Sequence, residues 1–170
     1  MPSENARATT AAESRFRIDD PNSQPRSTRV IALDAASEPM VKRLAQSAWR
    51  GATFLTSRAL DPPPQRPPNW SMQGWLSDLA GRAKDLIDEI ATADLVIMVA
   101  AAGAVPPTAS VIAEAARLRG VMTTALVLDA QSASDEFLAR TLAALRPHVS
   151  MLVVANGEDY VEAMLAALRA

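Results

Sequence analysis

The chain has 170 residues, a formal net charge of −2 and no cysteine. This length allows one domain with a substantial core, and the interspersed charges give no support for nucleic-acid binding. Without cysteine there is neither a disulfide nor a thiolate metal site. The longest apolar run, Leu95 to Val105, is too short to span a bilayer. We therefore expect no membrane segment and take the cytoplasm as the location.

The first 28 residues differ in composition from the rest of the chain. They contain few large apolar side chains and many polar and charged ones. Such a segment cannot bury enough apolar surface to offset the entropy lost on ordering. The sequence predicts a disordered tail over 1–28 and a single α/β domain over 29–170. The acidic residues of the tail and its lack of an apolar segment argue against a secretory signal.

The domain begins with a strand, a helix and a second strand. Apolar and β-branched residues predict strands over 28–33 and 53–56, and Ser37 is placed to cap the helix between them. Gly51 would end that helix. The buried stripe predicted for it consists of Met40, Leu44, Ala45 and Ala48, extended by Trp49.

Five prolines fall within the ten residues 61–70, which read DPPPQRPPNW. Proline fixes φ and lacks an amide donor, so this segment favours extended polyproline geometry over a helix or a central strand. Two interpretations remain open: a stiff surface connection, or a recognition segment for an aromatic groove. The candidate protein-interaction residues are Trp49, Pro63, Pro64, Trp70 and Trp75.

Helices and strands alternate through the remaining chain. Helices are predicted over 75–91, 107–119, 132–145 and from Asn156 onward, and strands over 95–101, 122–128 and 149–155. The buried stripe predicted for the first of these helices is Leu76, Leu79, Ala83, Leu86, Ile87 and Ile90. The alternation predicts a three-layer, Rossmann-like α/β domain with a mostly parallel five-stranded sheet.

Ligands of such sheets bind beyond the carboxyl ends of the strands. The candidate ligand-binding residues predicted there are Asp34, Ser37, Gly103, Thr108, Asp129 and Asn156. A phosphate cradle needs converging backbone N–H groups, which glycine permits. The turn after the first strand has no glycine, and neither GxGxxG nor GxxxxGK[ST] occurs in the chain. We therefore expect no tightly bound nucleotide and no cofactor.

Catalytic and metal chemistry have few candidates in this sequence. Asp34 and Asp129 could share an acidic pocket for Mg²⁺, although strand-end acids also occur simply because they cap and solvate turns. His148, the single histidine, precedes the last strand at the opposite edge of the sheet. No nucleophile elbow such as GxSxG is present. The sequence therefore indicates no catalytic residue and no metal site.

Two stretches follow a strand, turn, helix and strand pattern: the opening RVIALDAASEPMVKRLAQSAWRGATFLTSRAL and the central 94–129. Both resemble the nucleotide-binding domain of the tubulin/FtsZ superfamily, with Val111–Glu114 matching the helix after its signature loop. The closing VSMLVVANGED resembles that family's strand ending in IPND. The glycine loops are missing, and only Gly103 and Thr108 remain as counterparts in the signature loop. The resemblance implies a truncated, degenerate relative.

Two functions remain open from the sequence. The first is a non-enzymatic protein-binding or self-associating module, an FtsZ-like scaffold that has lost GTP binding and contacts a protein partner or forms a homo-oligomer. The alternative is a small-molecule or nucleotide-binding protein, with or without enzymatic activity, that uses the strand-end crevice. A flavin or corrinoid carrier is a third class, without a strand-end histidine to support it.

Overall fold

The structure, a computed structural model, describes residues 26–61, 68–69, 71–168 and 170. Residues 1–25 of the predicted tail lie outside the described residues. Pro63, Pro64, Trp70 and the side chain of Trp75 lie outside them as well. Expectations about these residues stay predictions. None of the described helices has the length and apolar character needed to cross a bilayer.

Five strands and five helices alternate along the described chain. The strands are β1 (Thr28–Ala32), β2 (Ala52–Thr56), β3 (Leu95–Ala101), β4 (Met122–Leu128) and β5 (Met151–Val154). The helices are α1 (Glu38–Leu44), α2 (Met72–Ala91), α3 (Thr108–Leu118), α4 (Asp135–Leu145) and α5 (Glu158–Ala167). Two 3₁₀ turns lie at Ser57–Leu60 and Arg146–His148.

All neighbouring strands pair in parallel, in the order β2-β1-β3-β4-β5. The prediction of a Rossmann-like α/β domain with a five-stranded parallel sheet is confirmed. This order is that of flavodoxin-like doubly wound sheets, whose switch point lies between β1 and β3. The carboxyl ends of these two strands therefore flank the crevice where a ligand is expected first.

Different helices cover the two faces of the sheet. Val30 and Leu126 belong to the core that contains α1 and α5 residues. Ile31 and Val127, one position further along each strand, belong to the core shared with α2, α3 and α4. Successive side chains alternate between the faces of a strand, so β1 and β4 each contribute to both cores. β3 is buried along its whole length because it lies between two strands and two helical layers.

Helix α1 is shorter than predicted. It ends at Leu44, and its buried residues are Val41 and Leu44. Ala45 and Ala48, which were expected in the buried stripe, are exposed. The helical spacing of apolar residues extends past the point where the chain leaves the helix, so the predicted stripe was wrong there.

Trp49 is half-buried at the end of α1. Its indole Nε1 donates a hydrogen bond to the Leu44 carbonyl at 2.7 Å, and its ring centroid lies 6.2 Å from that of Phe54. It packs against the core that contains α1 and α5 residues. Trp49 therefore closes this end of the helix, and its role in protein contact stays a prediction.

Helix α2 starts at Met72 rather than at Trp75. The Ser71 hydroxyl accepts a hydrogen bond from the Gly74 amide at 3.1 Å and so caps the helix. Of the predicted buried stripe, only Ile90 is buried, at 1% exposed, whereas Leu76 and Ile87 are 49% and 38% exposed. The other members, Leu79, Ala83 and Leu86, are partly buried, so the prediction was wrong for Leu76 and Ile87.

Candidate functional site

The Asp34 carboxylate organises the turn after β1. Its Oδ1 accepts hydrogen bonds from the Ala36 and Ser37 amides, both at 2.9 Å. Its Oδ2 accepts one from the Ala101 amide, at the end of β3, at 3.0 Å. Asp34 thus joins the carboxyl ends of β1 and β3 at the switch point, and its oxygens occupy amides that an incoming anion would otherwise use.

Ser37 does not cap α1 as expected. The Ser37 side chain makes no cap hydrogen bond to α1. Its hydroxyl donates instead to the Asp34 carbonyl at 3.0 Å, and the residue is fully buried. Both predicted ligand residues in this turn therefore bond within the protein.

Thr108 bonds to the chain segment that follows β2. The Thr108 hydroxyl donates to Ser57 Oγ at 3.1 Å, and the buried Ser57 hydroxyl donates to the Leu33 carbonyl at 3.3 Å. The start of α3 is thereby joined to the ends of β1 and β2. Ser57 directly follows a predicted strand, and this strand-end position is the feature of the sequence that marks it as a residue near the expected crevice.

Gly103 is held by a threonine of α4. It adopts a φ of 97°, in the left-handed region that glycine tolerates, and its amide donates to Thr141 Oγ1 at 2.8 Å. The buried Thr141 hydroxyl donates in turn to the Ala104 carbonyl at 2.8 Å. Sequence reasoning missed Thr141 because its contact depends on how α4 docks against the turn after β3.

A cleft of about 230 Å³ opens between the carboxyl ends of β4 and β5 and the surface of α1. Its lining residues are Met40, Arg43, Asp129, Gln131, Ser132, Ala155, Asn156, Gly157 and Glu158. Of the predicted ligand-binding residues, the structure thus brings Asp129 and Asn156 together in this cleft. Asp34 is not part of this lining, so Asp34 and Asp129, which the sequence allowed to share a pocket, lie in different surroundings.

Three polar side chains of this cleft keep their hydrogen-bonding capacity. Within the part of the chain that the structure describes, no hydrogen bond uses the side chains of Asp129, Gln131 or Asn156. Asp129 has a φ of 57°, which is uncommon for a residue other than glycine, and its carbonyl accepts the Ser132 amide at 3.0 Å. The cleft therefore presents a carboxylate and two amides to a ligand.

Arg43 and Glu158 form the charged side of the cleft. The Arg43 guanidinium Nε lies 2.9 Å from the Glu158 carboxylate. Sequence analysis missed both, because each looks like an ordinary surface charge on its own helix and the pair forms only when α1 and α5 cover the same face. The last helix was predicted from Asn156 onward, but α5 begins at Glu158 and Gly157 occupies the cap position.

Glu38 at the start of α1 is held by two cations. Its carboxylate lies 2.7 Å from Arg58 Nη1 and 3.0 Å from Lys42 Nζ. The hydrogen bond from Arg58, followed by that from Lys42, holds the pKa of Glu38 below its ordinary value of 4.5. The stabilisation from this carboxylate is fully present above about pH 4.5 and is lost as pH falls through the lower folded-state pKa.

Replacing Arg58 by alanine should raise the pKa of Glu38 towards its ordinary value, because the largest cause of the lowering is removed. An NMR titration of the Glu38 carboxyl carbon measures this shift. Arg117→Ala is the matched control, since Arg117 holds down the pKa of Glu114 in the same way. That control should raise the pKa of Glu114 and leave Glu38 unchanged. An unaltered Glu38 titration in Arg58→Ala would contradict the assignment.

No protein-family model matches the chain, and no curated protein sequence matches it. The solved structure of a probable GTP-binding protein, EngB, superposes with a TM-score of 0.55 at 10% identity, covering 83% of this chain and 97% of that one. Elongation factor SelB from Methanococcus maripaludis gives 0.49 at 12% identity, covering 84% of this chain and 33% of that one. A conserved Enterococcus faecalis V583 protein gives 0.48 at 10% identity, covering 84% and 98%.

At this level of identity the likeness to EngB concerns the fold alone. The similar structures are not tubulin or FtsZ, so the resemblance to that superfamily was wrong. It depended on alternating strands and helices, which all doubly wound sheets share, while the glycine loops that distinguish the superfamily were missing. The chain has a parallel, Rossmann-like α/β fold.

Proposed function

We propose that this protein binds a small polar molecule, with nucleotides as the ligand class, in the cleft at the carboxyl ends of β4 and β5. The observation that carries the proposal is a contrast between the two halves of this sheet edge. At β1 and β3, Asp34, Gly103 and Thr108 use their polar groups in bonds within the protein. At β4 and β5, Asp129 and Asn156 line an open cleft.

The groups in the cleft suit a ligand that carries both donors and acceptors. The Asp129 carboxylate accepts hydrogen bonds from a ring N–H or a sugar hydroxyl, and the amides of Gln131 and Asn156 both donate and accept. A volume of about 230 Å³ is below the range for a whole drug-sized ligand. The cleft therefore suits the base or the sugar of a nucleotide, with the phosphates lying outside it.

Two further considerations favour a nucleotide. Ligands of doubly wound sheets bind at the carboxyl ends of the strands. EngB, which shares this fold, is named a probable GTP-binding protein, so guanine nucleotides are the first to test. The expectation of an FtsZ-like scaffold that has lost GTP binding was wrong about the family. The alternative, a small-molecule or nucleotide-binding protein, is the better supported of the two.

Calorimetric titration of the full-length chain with GTP, GDP and ATP in the presence of Mg²⁺ tests the proposal. We expect micromolar affinity, about −8 kcal/mol, because the turn after β1 lacks the glycines of a tight phosphate cradle. Asp129→Asn and Asn156→Ala should each weaken the affinity roughly tenfold, about 1.4 kcal/mol, since each changes a hydrogen-bonding partner of the ligand. Glu162→Gln, an exposed acid elsewhere on α5, is the matched control and should leave the affinity unchanged.

Two results would count against this function. The absence of heat for all three nucleotides at millimolar concentration would reject nucleotides as the ligand class. Binding that is unaffected by both Asp129→Asn and Asn156→Ala would reject the β4–β5 cleft as the site.

A further inference from the structure

Charged side chains are few in the lining of the β4–β5 cleft. Among the described residues that line it, Arg43 is the one basic residue, whereas Asp129 and Glu158 are acidic. One positive and two negative side chains give the lining a formal charge of −1. A negatively charged part of a ligand is therefore favoured beside Arg43 and repelled by the two carboxylates.

Arg43 uses only its Nε atom within the protein. This atom donates to both carboxylate oxygens of Glu158, Oε1 at 3.1 Å and Oε2 at 2.9 Å. In the part of the chain that the structure describes, neither Nη atom of Arg43 donates a hydrogen bond. The N–H groups of both Nη atoms are therefore available, and they match the oxygens of a phosphate in the paired geometry that guanidinium and phosphate groups form.

The Glu158 contact holds the Arg43 side chain between the cleft and solvent. Arg43 belongs to α1 and Glu158 to the first turn of α5, and their side chains are 54% and 37% exposed. An ion pair this exposed contributes little to stability, so its main consequence here is the position of the guanidinium. Arg43 lies where a group that projects from the cleft into solvent would meet it.

Backbone amides that could bind further phosphates are engaged or lie beside acids. The amides of Ser37 and Ala101, at the switch point, donate to the Asp34 carboxylate at 2.9 and 3.0 Å. The first turn of α5 carries Glu158 and Asp159, whose negative charges oppose a second anion at that helix N-terminus. At both places a chain of phosphates would be disfavoured.

Two other cations near the start of α1 are paired with the same acid. Lys42 Nζ and Arg58 Nη1 lie 3.0 and 2.7 Å from the Glu38 carboxylate. Lys42 also lines a different groove, which contains Phe54 of β2. A phosphate bound by either cation would compete with Glu38. Arg43, with both Nη atoms available, is the favoured partner of a phosphate at the cleft.

We propose that the phosphate nearest the sugar binds the Nη atoms of Arg43 and that phosphates beyond it add no affinity, so that a nucleoside monophosphate already carries every group the site recognises. The proposal rests on the proposed function, because the base or sugar must fill the cleft for its phosphate to reach Arg43. Glu158 positions Arg43 through Nε, and its negative charge limits how strongly the phosphate binds.

Calorimetric titration of the full-length chain with guanosine, GMP and GTP separates the contributions of the phosphates. We expect GMP to bind about tenfold tighter than guanosine, because its phosphate gains charge-assisted hydrogen bonds to Arg43. GTP should bind within about threefold of GMP, since its outer phosphates meet acids and engaged amides. Added salt should weaken the binding of GMP more than that of guanosine, because it screens the contact between the phosphate and the guanidinium.

Arg43→Gln should lower the affinity for GMP about tenfold and that for guanosine less than about threefold, because only the phosphate contact is lost. Retained guanosine binding also shows that the variant is folded. Glu158→Gln keeps an oxygen that accepts from Arg43 Nε and removes a negative charge, so it should strengthen GMP binding about threefold. Arg140→Gln and Glu136→Gln, in an exposed ion pair on α4 outside the cleft lining, are the matched controls and should change neither affinity.

The outcomes separate this proposal from the proposed function. Equal affinities for guanosine and GMP, or a GMP advantage that survives Arg43→Gln, would overturn the role of Arg43 while guanosine binding upholds the site. GTP binding about tenfold tighter than GMP binding would overturn the limit to one phosphate. GMP binding that Glu158→Gln fails to strengthen would overturn the effect assigned to its charge. Failure of guanosine, GMP and GTP alike to bind would overturn the proposed function, and this proposal with it.

Discussion

Replacing Asp34 by alanine is expected to lower the free energy of unfolding by roughly 2–3 kcal/mol. The Asp34 carboxylate accepts hydrogen bonds from the amides of Ala36, Ser37 and Ala101. Water can reach the exposed Ala36 amide after the substitution, but Ala101 is buried and its amide would lose its partner. Urea unfolding measures the loss as a lower midpoint with an unchanged slope.

Asp129→Asn is the matched control for Asp34→Ala. Asp129 also follows a strand, but it is exposed and its carboxylate has no hydrogen bond within the described residues. Asparagine tolerates the positive φ of this position, so the change should stay within about 0.5 kcal/mol. If Asp34→Ala cost no more than this control, water would be replacing the carboxylate, and Asp34 would not hold β1 and β3 together.

Replacing Ile97 by alanine is expected to destabilise the fold by about 2–5 kcal/mol. Ile97 is fully buried in β3, the central strand, within the core that contains α1 and α5 residues. Truncation removes apolar contact and leaves a cavity, because the sheet backbone on both sides of β3 cannot collapse into it. Thermal and urea unfolding should both show the loss.

Met122→Ala is the control for Ile97→Ala. Met122 lies at the start of the neighbouring strand β4 and is 57% exposed. Its truncation creates no cavity, so we expect a change within about 0.5 kcal/mol. Equal effects of the two substitutions would contradict the central position assigned to β3.

Sequence patterning located β3 and β4 with the boundaries that the structure has, 95–101 and 122–128. Both strands are covered on two faces, so almost every residue in them must be apolar or β-branched, and turn residues stand directly at their ends. Patterning did less well for the helices. Leu76 is as apolar as Ile90, and nothing local says that only one of them has a neighbour to pack against.

The sequence was least informative about family and site. The likeness to tubulin and FtsZ came from a layered pattern that follows from covering a parallel sheet on both sides, which unrelated doubly wound proteins must also satisfy. Similarly, Asp34 and Asp129 both looked like strand-end acids. One is bonded to three backbone amides and the other lines a cleft with Arg43 and Asn156. That difference depends on which strands are neighbours.

The sequence by itself determined the alternation of elements, the apolar central strands and the absence of glycine-rich phosphate turns, because these depend on local composition and periodicity. Only the tertiary structure decided the strand order, the bridging role of Asp34 and the β4–β5 cleft. Each of these arises from contacts between residues far apart in the chain. Such contacts form when helices dock on a sheet, and no local pattern records which residues will meet.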